Sequence, residues 1–340
     1  MTKVLIWIAI LLFSLALLQG VRRSLFLKKN GQVQYVLETP TGVSQRNKSS
    51  NPNPFGVMIS GNNIQIKIQS AKNLGAVYYR PLAVFIDKWT GSCSECDAAV
   101  QSGLKLLLTV RNNGVPQQPT TPPTDLNSYK TTLSQIVDKY NPEVLVIENE
   151  ENSQALFFTG SSQEYLQELK AGCEVAHQKG IKCANGGLVS SLVAALVADS
   201  YKQSGDQNKA NEFLTRTLGA KNQNVTSLIN SSKAQEQITR GKELVTGYKA
   251  AGADFMNFHW YIADTNALGE AVTYLRSASG LPVMTNEIGQ QKTTDPTQVT
   301  SVMKKVVELG LPYAVWFIID IQGYGGATSL TDTNGTLRPN

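Results

Sequence analysis

From Phe55 onward, short apolar runs rich in Val, Ile, Leu and aromatic residues alternate with longer amphipathic stretches. The runs at 55–60, 76–80, 104–110, 143–148, 181–185, 253–259, 282–287 and 313–319 predict eight strands. They are apolar throughout rather than at every second position, which indicates burial on both faces and hence a parallel sheet. Glycine stands just before a strand at Gly75, Gly103, Gly180, Gly252, Gly280 and Gly310. That is the place where a preceding helix closes with a left-handed cap. Eight such βα units in about 285 residues predict an α/β fold, a (β/α)8 TIM barrel. The rival, a doubly wound open sheet, lacks its Gly-x-Gly-x-x-Gly after the first strand.

Two irregularities mark the pattern. Between the fifth strand and a helix near 233–251 lies an insertion, 189–232, with helical material at 191–203 and 209–218. It falls on the βα side, so it is expected to overhang the active face and shape a cleft. After the eighth strand comes Ser329-Leu330-Thr331-Asp332-Thr333-Asn334-Gly335-Thr336-Leu337-Arg338-Pro339-Asn340, where a closing eighth helix is expected but missing or truncated.

Upstream of the barrel, Lys3 precedes an apolar run from Val4 to Leu18, which reads as a signal peptide or signal anchor over 1–21. Residues 22–54 form an extension with a hairpin candidate turning at Asn30-Gly31, and it ends in a Pro/Asn run. Residues 55–340 hold the repeating βα pattern and form the barrel domain. The expected location is extracytoplasmic: secreted, periplasmic or membrane-anchored, with 4–21 as the tether.

The net charge of +5 sits almost wholly in that extension. Residues 1–54 carry seven Lys or Arg against Glu38 alone, so 55–340 is at −1. A near-neutral domain has no nucleic-acid footprint. Four cysteines in 340 residues do not make a disulfide scaffold. Cys93-x-x-Cys96 reads as a local disulfide or two free thiols, and with two histidines in the chain it is a poor zinc site. Cys173 and Cys183 read as small buried hydrophobes.

In a TIM barrel the polar residues at strand C-terminal ends are the candidates for chemistry. Here they are Arg80 after AVYY, Asn149 and Glu150 after VLVIE, His259 and Tyr261 in FHWY, Glu287 after PVMTN, and Trp316 in YAVWF. Two carboxyls on one rim suit hydrolysis of a glycosidic bond, one as proton donor and one as nucleophile or base. Arg111-Asn112-Asn113 could add contacts at the end of the third strand, and Trp89, Trp260 and Tyr324 offer further aromatic faces.

This set resembles the retaining TIM-barrel glycoside hydrolases of clan A, over about residues 55–340. Asn149-Glu150 and Glu287 in register are the specific part of the likeness. The resemblance implies Glu150 as acid/base, Glu287 as nucleophile and Asn149 as ligand of the sugar 2-hydroxyl. It implies that Arg80 and Tyr261 hold Glu287, that His259 lines the same subsite, and that Trp316 is a platform under the sugar. Glu151 departs from it, standing where the group usually has proline. The implied partner is an oligo- or polysaccharide, the chain is expected to act as a monomer, and no metal or organic cofactor is implied.

Two other readings stay open. A glycosidase-like barrel can bind glycans without turning them over. A Schiff-base lyase or aldolase would need a strand-end lysine, and none of the eight strands offers a convincing one.

Overall fold

The computed structural model describes residues 53–115, 118–219, 229–289, 296–318, 330–331 and 336–337. The signal segment, the hairpin candidate, Tyr324 and the stretch where an eighth helix is expected lie outside the described residues.

The strands are β1 (Phe55–Ile59), β2 (Tyr78–Tyr79), β3 (Val84–Phe85), β4 (Lys105–Arg111), β5 (Val144–Ile147), β6 (Lys182–Asn185), β7 (Met256–Trp260), β8 (Val283–Ile288) and β9 (Ala314–Ile318). All pairings are parallel, in the order β6-β5-β4-β2-β1-β9-β8-β7. The two ends of that row meet through bridges from Ala184 to Phe255 and from Leu188 to Phe258. Eight strands thus close into the expected barrel. β3 stands aside, pairing only with the end of β4 through Val84–Val110 and Phe85–Arg111. It is two residues long and follows β2 with no helix between them, so the alternation of strand and helix does not mark it.

Nine described helices alternate with the strands: α1 (Ile64–Asn73), α2 (Ser94–Gln101), α3 (Leu126–Tyr140), α4 (Ser162–Gln178), α5 (Ser190–Gln203), α6 (Gln207–Leu218), α7 (Ser232–Gly247), α8 (Thr265–Ser279) and α9 (Pro296–Glu308). Short polar side chains start them where the first N–H groups lack partners. Asn63, Asp125, Asp206, Ser231 and Asp264 cap in this way, and Ser161 forms a reciprocal capping box with Glu164. All six glycines that precede strands have positive φ, from 64° at Gly280 to 89° at Gly252. These are the left-handed turns expected of them.

Strand parity sorts the core into two compartments. Tyr78, Leu107, Val144, Val146, Ala184, Met284 and Val315 fill the barrel interior. Their alternates, among them Tyr79, Leu108, Leu145, Phe258 and Trp316, pack outward with the helices. Side chains two positions on share a face. Arg80, Thr109 and Asn286 therefore follow Tyr78, Leu107 and Met284 into the barrel, one layer nearer its mouth. Apolar below and polar above, the interior presents its chemistry at the C-terminal rim.

α5 and α6 are the helices of the insertion. They pack against each other, and α5 also lies on α7 and α8 in the outer layer. The insertion reaches the site's strand through Ser190, whose Oγ donates to His259 O and accepts from Tyr261 N, both at 3.1 Å.

All four cysteines are paired. Cys93–Cys96 closes the turn that opens α2. Cys173–Cys183 joins α4 to β6, a pairing that the reading of those two as small buried hydrophobes did not include. Both are indeed buried, but helix-on-strand packing brings their Cα atoms to 5.3 Å, inside the range a bridge spans.

Candidate active site

Six of the seven predicted site residues converge at the barrel mouth. Glu287 is the penultimate residue of β8 and lies at a register shift against both neighbouring strands, which turns its side chain into the barrel. One of its oxygens pairs with the Arg80 guanidinium and the other accepts the Tyr261 hydroxyl. Arg80 also donates to Thr109 Oγ1 and the Asn286 carbonyl, both at 3.2 Å, and to Asn149 Oδ1 at 2.6 Å. One guanidinium thus aims the two strand ends that carry the acids.

Glu150 approaches from the β5 end. Its Oε1 lies 2.8 Å from His259 Nδ1, and the same ring nitrogen is 3.8 Å from Glu287 Oε1. One donor atom each from Glu150, His259 and Glu287 fall within 4.8 Å of one another. That spacing would suit a cation's ligands. The Arg80 guanidinium, however, already supplies the positive charge against Glu287, so these residues are assigned no metal.

The electrostatics separate the groups. Burial alone would raise the Glu287 carboxyl, but His259, Arg80 and the Tyr261 hydroxyl favour its charged form and bring it down to about 2. For His259 burial lowers the ring, yet the Glu287 and Glu150 carboxylates outweigh it and hold the ring above its ordinary value. Tyr261 is pushed well above its ordinary value by burial first and Glu287 second, so it stays a hydrogen-bond donor.

Glu150 protrudes from a loop whose two other acids are fully buried. Glu148 accepts from the Asn112 N–H at 2.6 Å, from Thr120 Oγ1 at 2.7 Å and from Arg111 Nε at 3.2 Å. Burial raises it to about 7 against these partners. Glu151 turns the other way, accepting from Tyr248 at 2.5 Å and Asn185 at 2.8 Å. Glu148 and Glu150 have φ of 66° and 46°, a left-handed region rarely used by such residues and often found at functional sites. Of Arg111-Asn112-Asn113, where sugar contacts are expected, Arg111 also donates to the Phe157 carbonyl of this loop, while the Asn112 and Asn113 amides bond Thr121 within the loop after β4.

Trp316 is not part of the group, which corrects its reading as a sugar platform. Its neighbour Val315 takes the inward position on β9, so Trp316 faces outward and is 1% exposed. It lines a cavity of about 300 Å³ with Phe55, Leu74, Val299 and Met303, between the barrel wall and its first and last described helices. Trp260 likewise points outward against Phe258, leaving Tyr261 to face in.

Sequence reasoning passed over several residues that build the site: Asn185, Gly187, Asn257 and Asn286. Gly187 has φ +105°, and a Cβ there would come within 2.4 Å of His259 Nε2. The Gly186-Gly187 pair directly after a strand was the one readable signal.

No protein-family model matches the chain, and no curated protein matches it. Solved structures do. A glucosidase from Croceicoccus marinus superposes with a TM-score of 0.53 at 9% identity, covering 84% of this chain and 65% of that one. The GH39 enzyme from Xanthomonas axonopodis pv. citri gives 0.54 at 13% identity, covering 86% and 65%. A GH128 exo-β-1,3-glucanase from Aureobasidium namibiae gives 0.50 at 10% identity, covering 85% and 94%. The chain therefore spans just under two thirds of the first two. At these identities the likeness establishes the shared barrel fold.

Proposed function

We propose that this chain is a retaining glycoside hydrolase that cleaves O-glycosidic bonds by double displacement. The observation that carries the reading is a buried, charged Glu287 held by Arg80 and Tyr261, with a Glu150 oxygen within 4.8 Å. Retaining enzymes keep their two carboxyls about 5–5.5 Å apart, whereas inverting ones leave roughly 6.5–9.5 Å for a water. The neighbours of like fold, a glucosidase and an exo-β-1,3-glucanase among them, agree with a glycoside substrate.

In this reading Glu287 attacks the anomeric carbon as the glycosidic C–O bond breaks. The departing oxygen takes its proton from Glu150, leaving a glycosyl ester on Glu287. Glu150, now a carboxylate, takes a proton from water as that water attacks the same carbon and frees Glu287. In the same reading Asn149, which accepts from Arg80, binds the sugar 2-hydroxyl. An oxidising, extracytoplasmic location is supported by the two disulfides and by the apolar run Val4–Leu18.

A 2-fluoro glycoside with an activated leaving group tests this. Mass spectrometry of the digested protein should find the fluoroglycosyl group on the peptide holding Glu287, and Glu287→Gln should abolish labelling. Binding of oligosaccharide without labelling across a broad panel would favour a non-catalytic glycan-binding protein instead.

A further inference from the structure

Beneath the two carboxyls, three asparagines lock one another in place. The Asn286 backbone N–H donates to Asn257 Oδ1 at 2.9 Å, and Asn257 Nδ2 donates to the Asn185 carbonyl at 3.0 Å. A backbone N–H only donates and a carbonyl only accepts, so the Asn257 amide has one orientation. Its Nδ2 also lies 2.8 Å from Asn286 Oδ1, which fixes that oxygen as an acceptor. His259 Nε2 is 3.0 Å from the same oxygen, so Nε2 carries a hydrogen.

A neutral imidazole has one N–H. With it on Nε2, Nδ1 is either a bare lone pair or the second N–H of an imidazolium. A bare Nδ1 facing a Glu150 carboxylate at 2.8 Å would set two lone pairs against each other. The contact needs one proton, on Glu150 beside a neutral ring or on Nδ1 beside a charged Glu150.

We propose that Asn286, backed by Asn257, is a positioning residue that makes Glu150 and His259 a pair sharing one proton. The charged groups facing the ring are Glu287 from β8, Glu150 from the loop after β5 and Arg80 from just past the end of β2, with Glu151 behind Asn185. The inference rests on the glycosidase reading only for its use. When the leaving oxygen takes the shared proton, the O–H bond to it forms and the pair's own bond breaks, leaving Nδ1 and Oε1 unbridged. Proton uptake from the attacking water restores the bridge.

The chain has two histidines, and the other, His177, is about half exposed and bonded to Asp254. Long-range ¹H–¹⁵N spectra of the histidine-labelled chain, without substrate, should show His259 protonated at Nε2 throughout about pH 5 to 8, with slow exchange of that hydrogen. Asn286→Asp, which keeps an acceptor, should retain the pattern. Asn286→Ala should lose the slow Nε2–H signal and populate the Nδ1–H tautomer. Glu150→Gln, whose amide can donate to Nδ1, should leave the ring neutral with its hydrogen on Nε2. A neutral wild-type ring with its hydrogen on Nδ1 overturns the proposal, as does an unchanged spectrum in Asn286→Ala. If that variant does not fold, the wild-type spectrum decides alone. These readouts need no turnover, so failure of the glycosidase reading would leave them standing, and their failure would leave that reading intact.

Discussion

Glu148, Glu150 and Glu151 lie within four residues, yet each meets a different environment. The outer two are drawn inward to Arg111 and Tyr248, and only the middle one reaches the mouth. Context rather than residue type assigns the roles. Glu287 shows the same in its response to acid. Its folded value of about 2 lies below the ordinary 4.5, so its contribution to stability is complete above 4.5 and is lost as pH falls toward 2. The raised ring of His259 works in the opposite sense, stabilising fully at low pH and losing its contribution as pH rises through its folded value. Urea denaturation from about pH 5 down to 2 should therefore cost the wild type on the order of 3 kcal/mol more than Glu287→Gln. Equal slopes for the two would show that Glu287 is not held charged by its partners.

The loop after β5 is an element anchored on two sides. Arg111 and Thr120 hold it through Glu148, while Tyr248 and Asn185 hold it through Glu151. Tyr248→Phe leaves the fully buried Glu151 one donor short, and should destabilise the fold by about 1–3 kcal/mol in chemical denaturation. A change within error would mean that Glu151 finds another donor. At this scale the sequence was legible where a signal repeats. Apolar runs and capping glycines located all eight barrel strands, and the insertion helices begin and end within two residues of their expected bounds. It was silent on parity in YAVWF, where both faces are apolar. The pairing of Trp316 with Val57 of β1, hundreds of positions away, decides which side faces out. The asparagine layer was illegible for a similar reason. Asn185, Asn257 and Asn286 acquire partners only when three strands come into register.

Across the whole molecule, the described fold depends on closing one sheet on itself and coating it with helices. Cys173–Cys183 fastens part of that coat to β6. Its loop is short, with a sequence separation of 10, so the chain-entropy model gives about 2–3 kcal/mol of stabilisation. Cys173→Ser with Cys183→Ser should lower Tm by several degrees in oxidising buffer, and the gap should vanish when wild type is reduced. A gap that persists under reductant would assign the loss to packing of the serines instead. The outward parity of Trp260 on β7 and Trp316 on β9 reaches into the optics of the protein. Trp260 and Trp316 are both buried with the helical coat rather than at the mouth. Their ultraviolet emission is a gauge of how the coat sits on the strands, and it is blind to whatever rests on the rim.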